Sequence, residues 1–146
     1  GVVRLLLDTS VLVAAMVEAH PAHQRALPWL TRVVNGEDTG LVAAHSIAEL
    51  YAILTTLPVQ PRLSSDDALQ LIKRNVVGTF QIVALSDQDY VQIVEHLAEL
   101  GVVGGVVYDA LILRSALNAQ VDQVVTLNEK DFRRAYPELD DKIVAP

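Results

Sequence analysis

Arg4-Leu5-Leu6-Leu7-Asp8-Thr9-Ser10-Val11-Leu12-Val13-Ala14-Ala15 places three polar residues between two apolar runs. Val2 to Leu7 lacks the alternation of a strand with one wet face. It reads instead as a central strand of a parallel sheet covered on both sides, turning at once into a helix. Asp8 is then the first polar group beyond a buried strand. Open α/β sheets bind ligands at the carboxyl ends of their strands, so an acid there is placed to hold a cation or a water. Asp8 and Thr9 are equally placed to cap the following helix.

Outward from this stretch, helix and strand patterns alternate. A helix over Thr9–Val17 breaks at His20-Pro21, and a second runs from Ala22 to Val34, closed by Asn35-Gly36. Leu41–Ala44 reads as a strand and Ser46–Leu57 as an amphipathic helix stopped by Pro58 and Pro61. Ser64 caps a helix through Val77 that ends at Gly78. Gln81–Leu85 is the next strand, Asp87–Leu100 a helix, Gly104-Gly105 a loop and Tyr108–Ala119 another helix. Gln123–Leu127 is a strand, Glu129–Tyr136 the last helix and Lys142–Val144 a short edge strand. The expected fold class is α/β, with a three-layer α/β/α arrangement around a mainly parallel sheet of four to five strands.

A chain of 146 residues with 51% hydrophobic content suits one domain spanning 1–146. Without cysteine there is no disulfide framework, thiolate metal site or catalytic thiol, which agrees with a reducing, cytoplasmic setting. The N-terminal apolar run is too short to cross a membrane and lacks a signal-peptide layout, so no membrane association is expected. A formal charge of −7 argues against broad nonspecific nucleic-acid binding. It is compatible with a local acidic site where cations bridge carboxylates to phosphate.

Each remaining acid has a local explanation. Ser46-Ile47-Ala48-Glu49 has the form of a capping box, Asp109 stands at a helix start, and Asn128 with Asp131 repeats the pattern. Their joint placement is harder to explain by capping. In a parallel sheet the helices that follow strands, and those that lead into strands, begin at the same edge, so Asp8, Glu49, Asp109, Asn128 and Asp131 should gather there. Glu49 lies off the apolar stripe Ile47, Leu50, Tyr51, Leu54, Leu57, free to face a pocket mouth. Asp109 shares a helix face with Ile112, Leu113 and Ala116, an awkward place for an unpartnered charge. A hard divalent cation such as Mg²⁺ or Mn²⁺ would supply a partner. Ser86, Asp87 and Asp89 should reach the same edge, so placement alone does not select among the acids.

The sequence resembles PIN-domain ribonucleases, and more closely the VapC-type toxins of bacterial toxin–antitoxin pairs. The matching segments are Leu5–Ala14, Ser46–Pro58 with Arg62-Leu63-Ser64, Gly105–Ile112 and Val125–Phe132, which follow family order over nearly the whole chain. The resemblance implies a PIN-like domain in which Asp8, Glu49 and Asp109 are acidic Mg²⁺/Mn²⁺ site residues. It leaves the fourth position between Asn128 and Asp131; Asn128 carries no charge, which favours Asp131 as the acid and Asn128 as an orienting group. Thr9 would assist at the metal or water. The implied reaction is hydrolysis of RNA phosphodiesters, with structured RNA such as tRNA or rRNA among the candidate substrates, leaving 5′-phosphate and 3′-hydroxyl ends. A cognate antitoxin and a homodimer are further implications, with the helices after Ser46 and Ser64 as the contact surface.

Candidate RNA contacts are Arg62, Arg114, Lys130, Arg133 and Arg134, although each taken singly reads more readily as a solvated surface charge. His20 and His23 lack a third metal ligand, and His45 and His96 have no evident acid–base partner in sequence. Two other classes compete. One is a noncatalytic PIN-like module in which the acids serve as caps; the other is a receiver or haloacid-dehalogenase-like phosphatase. The latter fits poorly, because Ser10 stands where the phosphatase needs a second aspartate and the receiver's supporting acid pair is missing. An RNA-processing nuclease that is not a toxin shares the favoured chemistry.

Overall fold

The computed structural model describes residues 2–146. Its sheet contains β1 (Arg4–Leu7), β2 (Thr39–Ala43), β3 (Gln81–Val83), β4 (Gln123–Val125) and β5 (Ile143–Val144). All neighbours pair in parallel, in the order β3-β2-β1-β4-β5. The chain therefore winds outward from β1 in one direction through β2 and β3, and in the other through β4 and β5. The reversal lies between β1 and β4, the place where a doubly wound sheet opens a crevice at its carboxyl edge.

Leu5, Leu6 and Leu7 are all fully buried, which accounts for the missing alternation in β1. Leu5 and Leu7 join the core beneath α1 (Thr9–Met16), α2 (His23–Val34), α3 (Ala44–Leu54) and α4 (Ser65–Ile72). Leu6 faces the opposite layer of α5 (Asp87–Leu100), α6 (Val106–Asn118) and α7 (Glu129–Ala135). The expected three layers are present, with the sheet at the upper end of the expected strand count. Among the described residues no helix is long and apolar enough to cross a membrane.

Several boundaries differ from the sequence reading. β1 begins at Arg4 and leaves Val2 exposed. The segment after Ser64 is capped as expected, with Ser64 and Asp67 completing a capping box, but its α-helix ends at Ile72 and continues as a π-turn over Lys73–Val77. Tyr51, placed by periodicity in the apolar stripe of α3, is exposed; the buried side chains of that helix are Ser46, Leu50 and Leu54. A Cβ at Gly40 would fall 2.4 Å from Val33 Cγ1 and 2.7 Å from the Phe80 ring. Glycine there lets α2 and Phe80 close on β2.

Candidate active site

The register Leu7↔Val125 sets the residues that follow β1 and β4 side by side. The Asp8 amide donates to Val125 O at 3.1 Å, and the Asp8 side chain caps α1 by accepting from Val11 N–H. Capping is only part of what this carboxylate does. Ser10 Oγ donates to Asp8 Oδ1 at 2.6 Å and accepts from Leu127 N–H, while Thr126 Oγ1 donates to Asp8 Oδ2 at 2.6 Å and accepts from Asn128 N–H. Two hydroxyls thus tie Asp8 to the β4–α7 loop. Burial raises the Asp8 pKa, and these hydrogen bonds partly oppose the rise by favouring the ionised form.

The capping-box reading of Ser46 and Glu49 is incorrect. α3 begins two residues earlier, at Ala44, and no side chain caps it. Ser46 is therefore inside the first turn and fully buried, where its hydroxyl needs a partner. Thr9 Oγ1 lies 2.9 Å from both Ser46 Oγ and Glu49 Oε1. Having one proton, Thr9 donates to the carboxylate and accepts from Ser46. His45 Nε2 stands 3.6 Å from the same Glu49 oxygen, one helical turn earlier.

Asp109 is likewise not a cap, because α6 starts at Val106 after Gly105 and has no side-chain cap. Asn128 occupies the N-cap position of α7 without making a cap bond. Its Nδ2 points instead toward Asp109 Oδ2 at 3.4 Å and Asp131 Oδ2 at 3.3 Å. Asn128 therefore bridges the two carboxylates. The Asp109 pKa is raised to about 7, first by burial and then by the negative charges of Asp8, Asp131 and Glu49. Burial is the larger cause of this rise, and the negative charges of the three other acids add to it.

Asp89 and Asp87 lie at the start of α5, and the structure separates Asp89 from this group. Asp89 completes a capping box with Ser86, pairs with Arg114 Nε at 3.0 Å and accepts from Asn118. These bonds lower its pKa, opposite to the shift at Asp109, led by the Ser86 backbone N–H and the Asn118 side chain.

The donor chemistry and charge of the site suit a hard divalent cation, since Asp109 and Asp131 share Asn128 and the charges of Asp8, Asp131 and Glu49 act on Asp109 together with its burial. Among the described residues no three His, Cys, Asp or Glu side chains form a ready-made ligand cluster. The carboxylates are held by neighbouring side chains. Both Asp8 oxygens are engaged, Glu49 Oε1 is held by Thr9, and Asp131 pairs with Arg134 at 3.3 Å.

The basic candidates separate into two groups. Arg114 is taken by Asp89 and Gln92, Arg133 by Glu129 and Asp140, and Arg134 by Asp131. Arg62 is exposed in the loop before α4, and Lys130 is exposed beside Asn128 on the rim of a shallow depression. Sequence reasoning passed over Ser10 and Thr126 and read Ser46 as a helix cap. The available signal was positional for Thr126, the first polar residue after β4 as Asp8 is after β1.

A family model described as the PIN domain matches residues 5–137. Ribonuclease VapC27 of Mycobacterium tuberculosis is 31% identical over 112 residues, which cover 77% of this chain and 76% of that protein. Among solved structures, VapC20 of Mycobacterium tuberculosis, described as a sarcin-ricin-loop-cleaving toxin, superposes with a TM-score of 0.67 at 12% identity, covering 87% of this chain and 92% of the other. VapBC2 of Rickettsia felis, solved on a DNA fragment from its promoter, gives 0.63 at 18% identity over 98% and 97%. The two structures share the fold, and the sequence match reaches from β1 to the end of α7, so the chain belongs to the PIN-domain family and to its VapC-type members.

Proposed function

We propose that this protein is a Mg²⁺- or Mn²⁺-dependent endoribonuclease acting as the toxin of a toxin–antitoxin pair. The observation that carries the reading is the placement of Asp8, Asn128, Asp109 and Asp131 at one sheet edge, where Thr126 joins Asp8 to the Asn128 N–H and Asn128 Nδ2 reaches both Asp109 and Asp131; the raised Asp109 pKa, caused by burial and then by Asp8, Asp131 and Glu49, agrees with it. Caps alone have no need to converge, whereas a cation site does. The ribonuclease description of VapC27 supports the same chemistry.

In this reading Asp8, Glu49, Asp109 and Asp131 hold the cation. A divalent ion held by these carboxylates would supply a nucleophilic water at neutral pH and would offset charge on the phosphate. Ser10 and Thr126 fix Asp8, Thr9 fixes Glu49, and Asn128 holds Asp109 and Asp131 in one orientation. Thr126 and Ser46 are buried, so the Thr126–Asp8 and Thr9–Ser46 hydrogen bonds are kept away from bulk water. Arg62 and Lys130 are the cations we assign to substrate phosphates, because the other candidates, Arg114, Arg133 and Arg134, are committed to acids. Tyr51, Ile53 and Leu69 leave apolar surface on α3 and α4, the face we assign to homodimer contacts and the antitoxin. A basic antitoxin residue entering the acidic site would compete for the carboxylates and silence the enzyme.

The test is incubation of partner-free protein with a cellular RNA pool and Mg²⁺ or Mn²⁺, beside EDTA and Asp8→Ala controls, followed by mapping of new ends. Discrete cuts carrying 5′-phosphates and absent from both controls are expected. A folded, cation-loaded protein that leaves the RNA intact would favour the noncatalytic binding module.

A further inference from the structure

Tyr108 and His45 form an aromatic pair beside the acids. Tyr108, immediately before the partly buried Asp109, is 53% exposed. One of its faces is backed by the His45 imidazole, with ring centroids 5.5 Å apart and planes within 8° of parallel. His45 stands 3.6 Å from Glu49. The stacked pair therefore spans α3 and α6 and is anchored beside an acid of each.

The electrostatics near the site show what such a ring would contribute. An RNA strand approaching this edge meets four carboxylates, while Arg114, Arg133 and Arg134 are already held in ion pairs. Phosphate neutralisation, the usual source of affinity for nucleic acid, is in short supply here. Stacking of an unpaired base on an aromatic face is independent of backbone charge and contributes substantially for each base. Tyr108 has only two side-chain torsions to fix, and His45 already restrains the ring, so little ordering remains to be done on binding.

We propose that Tyr108, backed by His45, is a stacking platform for an unpaired nucleobase flanking the scissile phosphate. The inference rests on the nuclease reading and adds a substrate requirement to it: at least one unstacked base next to the cut, hence single-stranded or looped RNA. Tyr108 is a binding residue here, and His45 is a positioning residue that acts through it.

The test uses a single-stranded 12-nucleotide RNA of mixed sequence, with 2-aminopurine placed at one position at a time, bound to the whole protein in Ca²⁺ buffer. Cleavage of the same RNA is followed in parallel in Mg²⁺. The wild-type protein is expected to quench the fluorophore at one or two positions beside the cleavage site. Tyr108→Leu, which keeps apolar volume and removes the ring, should lose that quench and raise the dissociation constant about five- to a hundredfold. Tyr108→Phe, which restores a ring, should restore the quench, and circular dichroism establishes that each variant is folded. If folded Tyr108→Leu quenches and binds as the wild type does while the RNA is still cut in Mg²⁺, the platform is refuted and the nuclease reading survives. RNA that the wild-type protein neither binds nor cuts would overturn both.

Discussion

Replacing Asp109 with asparagine should stabilise the metal-free protein while removing its activity. The carboxyl group is carried from 3.8 to about 7 by burial and by Asp8, Asp131 and Glu49. Taken at face value, a rise of that size is a penalty of about 4 kcal/mol on the charged form. Asp109 is partly exposed, and solvent screening reduces the measurable part to about 1–2 kcal/mol. The sign follows from linkage. An acid whose folded pKa lies above its unfolded value binds its proton more tightly when folded, so no penalty exists below about pH 4. Stability is then lost as the pH rises to about 7, and the deficit stays constant above that. Thermal melts of wild type and Asp109→Asn in EDTA should therefore coincide near pH 4 and differ at pH 8. For a chain of 146 residues, 1–2 kcal/mol corresponds to a Tm increase of about 3–7 °C for the variant. Saturating Mn²⁺, at a hundred times its dissociation constant, should add about 2.7 kcal/mol to the wild type and much less to the variant. Equal melting temperatures at pH 8 in EDTA, or a difference that does not change with pH, would refute the claim that the four carboxylates press on one another.

Further expectations concern the surroundings of the acids. Thr126→Val removes the donor to Asp8 and the acceptor for Asn128 N–H, and should lower RNA cleavage about 10- to 100-fold, as loss of a supporting group does in other metal sites; a rate within twofold of wild type would show that Asp8 needs no such support. Asp89→Ala should weaken the α5–α6 contact, seen as a lower Tm, yet leave the cleavage rate at saturating RNA within about threefold, because Asp89 is committed to Arg114, Asn118 and Ser86. Gly40→Ala should cost about 1–3 kcal/mol in urea unfolding, since the new methyl group would overlap Val33 and Phe80.

The sheet could be inferred from its hydrophobic runs because burial on both faces erases alternation, and Leu5, Leu6 and Leu7 show that pattern most plainly. The edge where the acids gather followed from strand direction. Helix starts were harder to infer. Ala44 and Val106 open α3 and α6 without side-chain caps, so the polar residues Ser46 and Asp109, which look like caps, lie inside their helices. That shift of a few residues changes Ser46 from a local cap into a partner of Thr9 across two helices. Sequence spacing also gave no physical reason to prefer Asp109 over Asp89. The distinction lies in long-range partners, Arg114 and Asn118 for one and three carboxylates for the other. The bond between Thr126 and Asp8 joins residues 118 apart and depends on the β1–β4 register, which only the folded sheet specifies.

The most direct test of a shared cation site is Mn²⁺ binding followed by electron paramagnetic resonance, with wild type, Asp109→Asn and Asp89→Asn titrated side by side. The carboxylate account predicts that Asp109→Asn weakens Mn²⁺ binding at least about tenfold, within the range for perturbing a metal site, and that Asp89→Asn leaves it unchanged. Identical Mn²⁺ affinity in wild type and Asp109→Asn would contradict it.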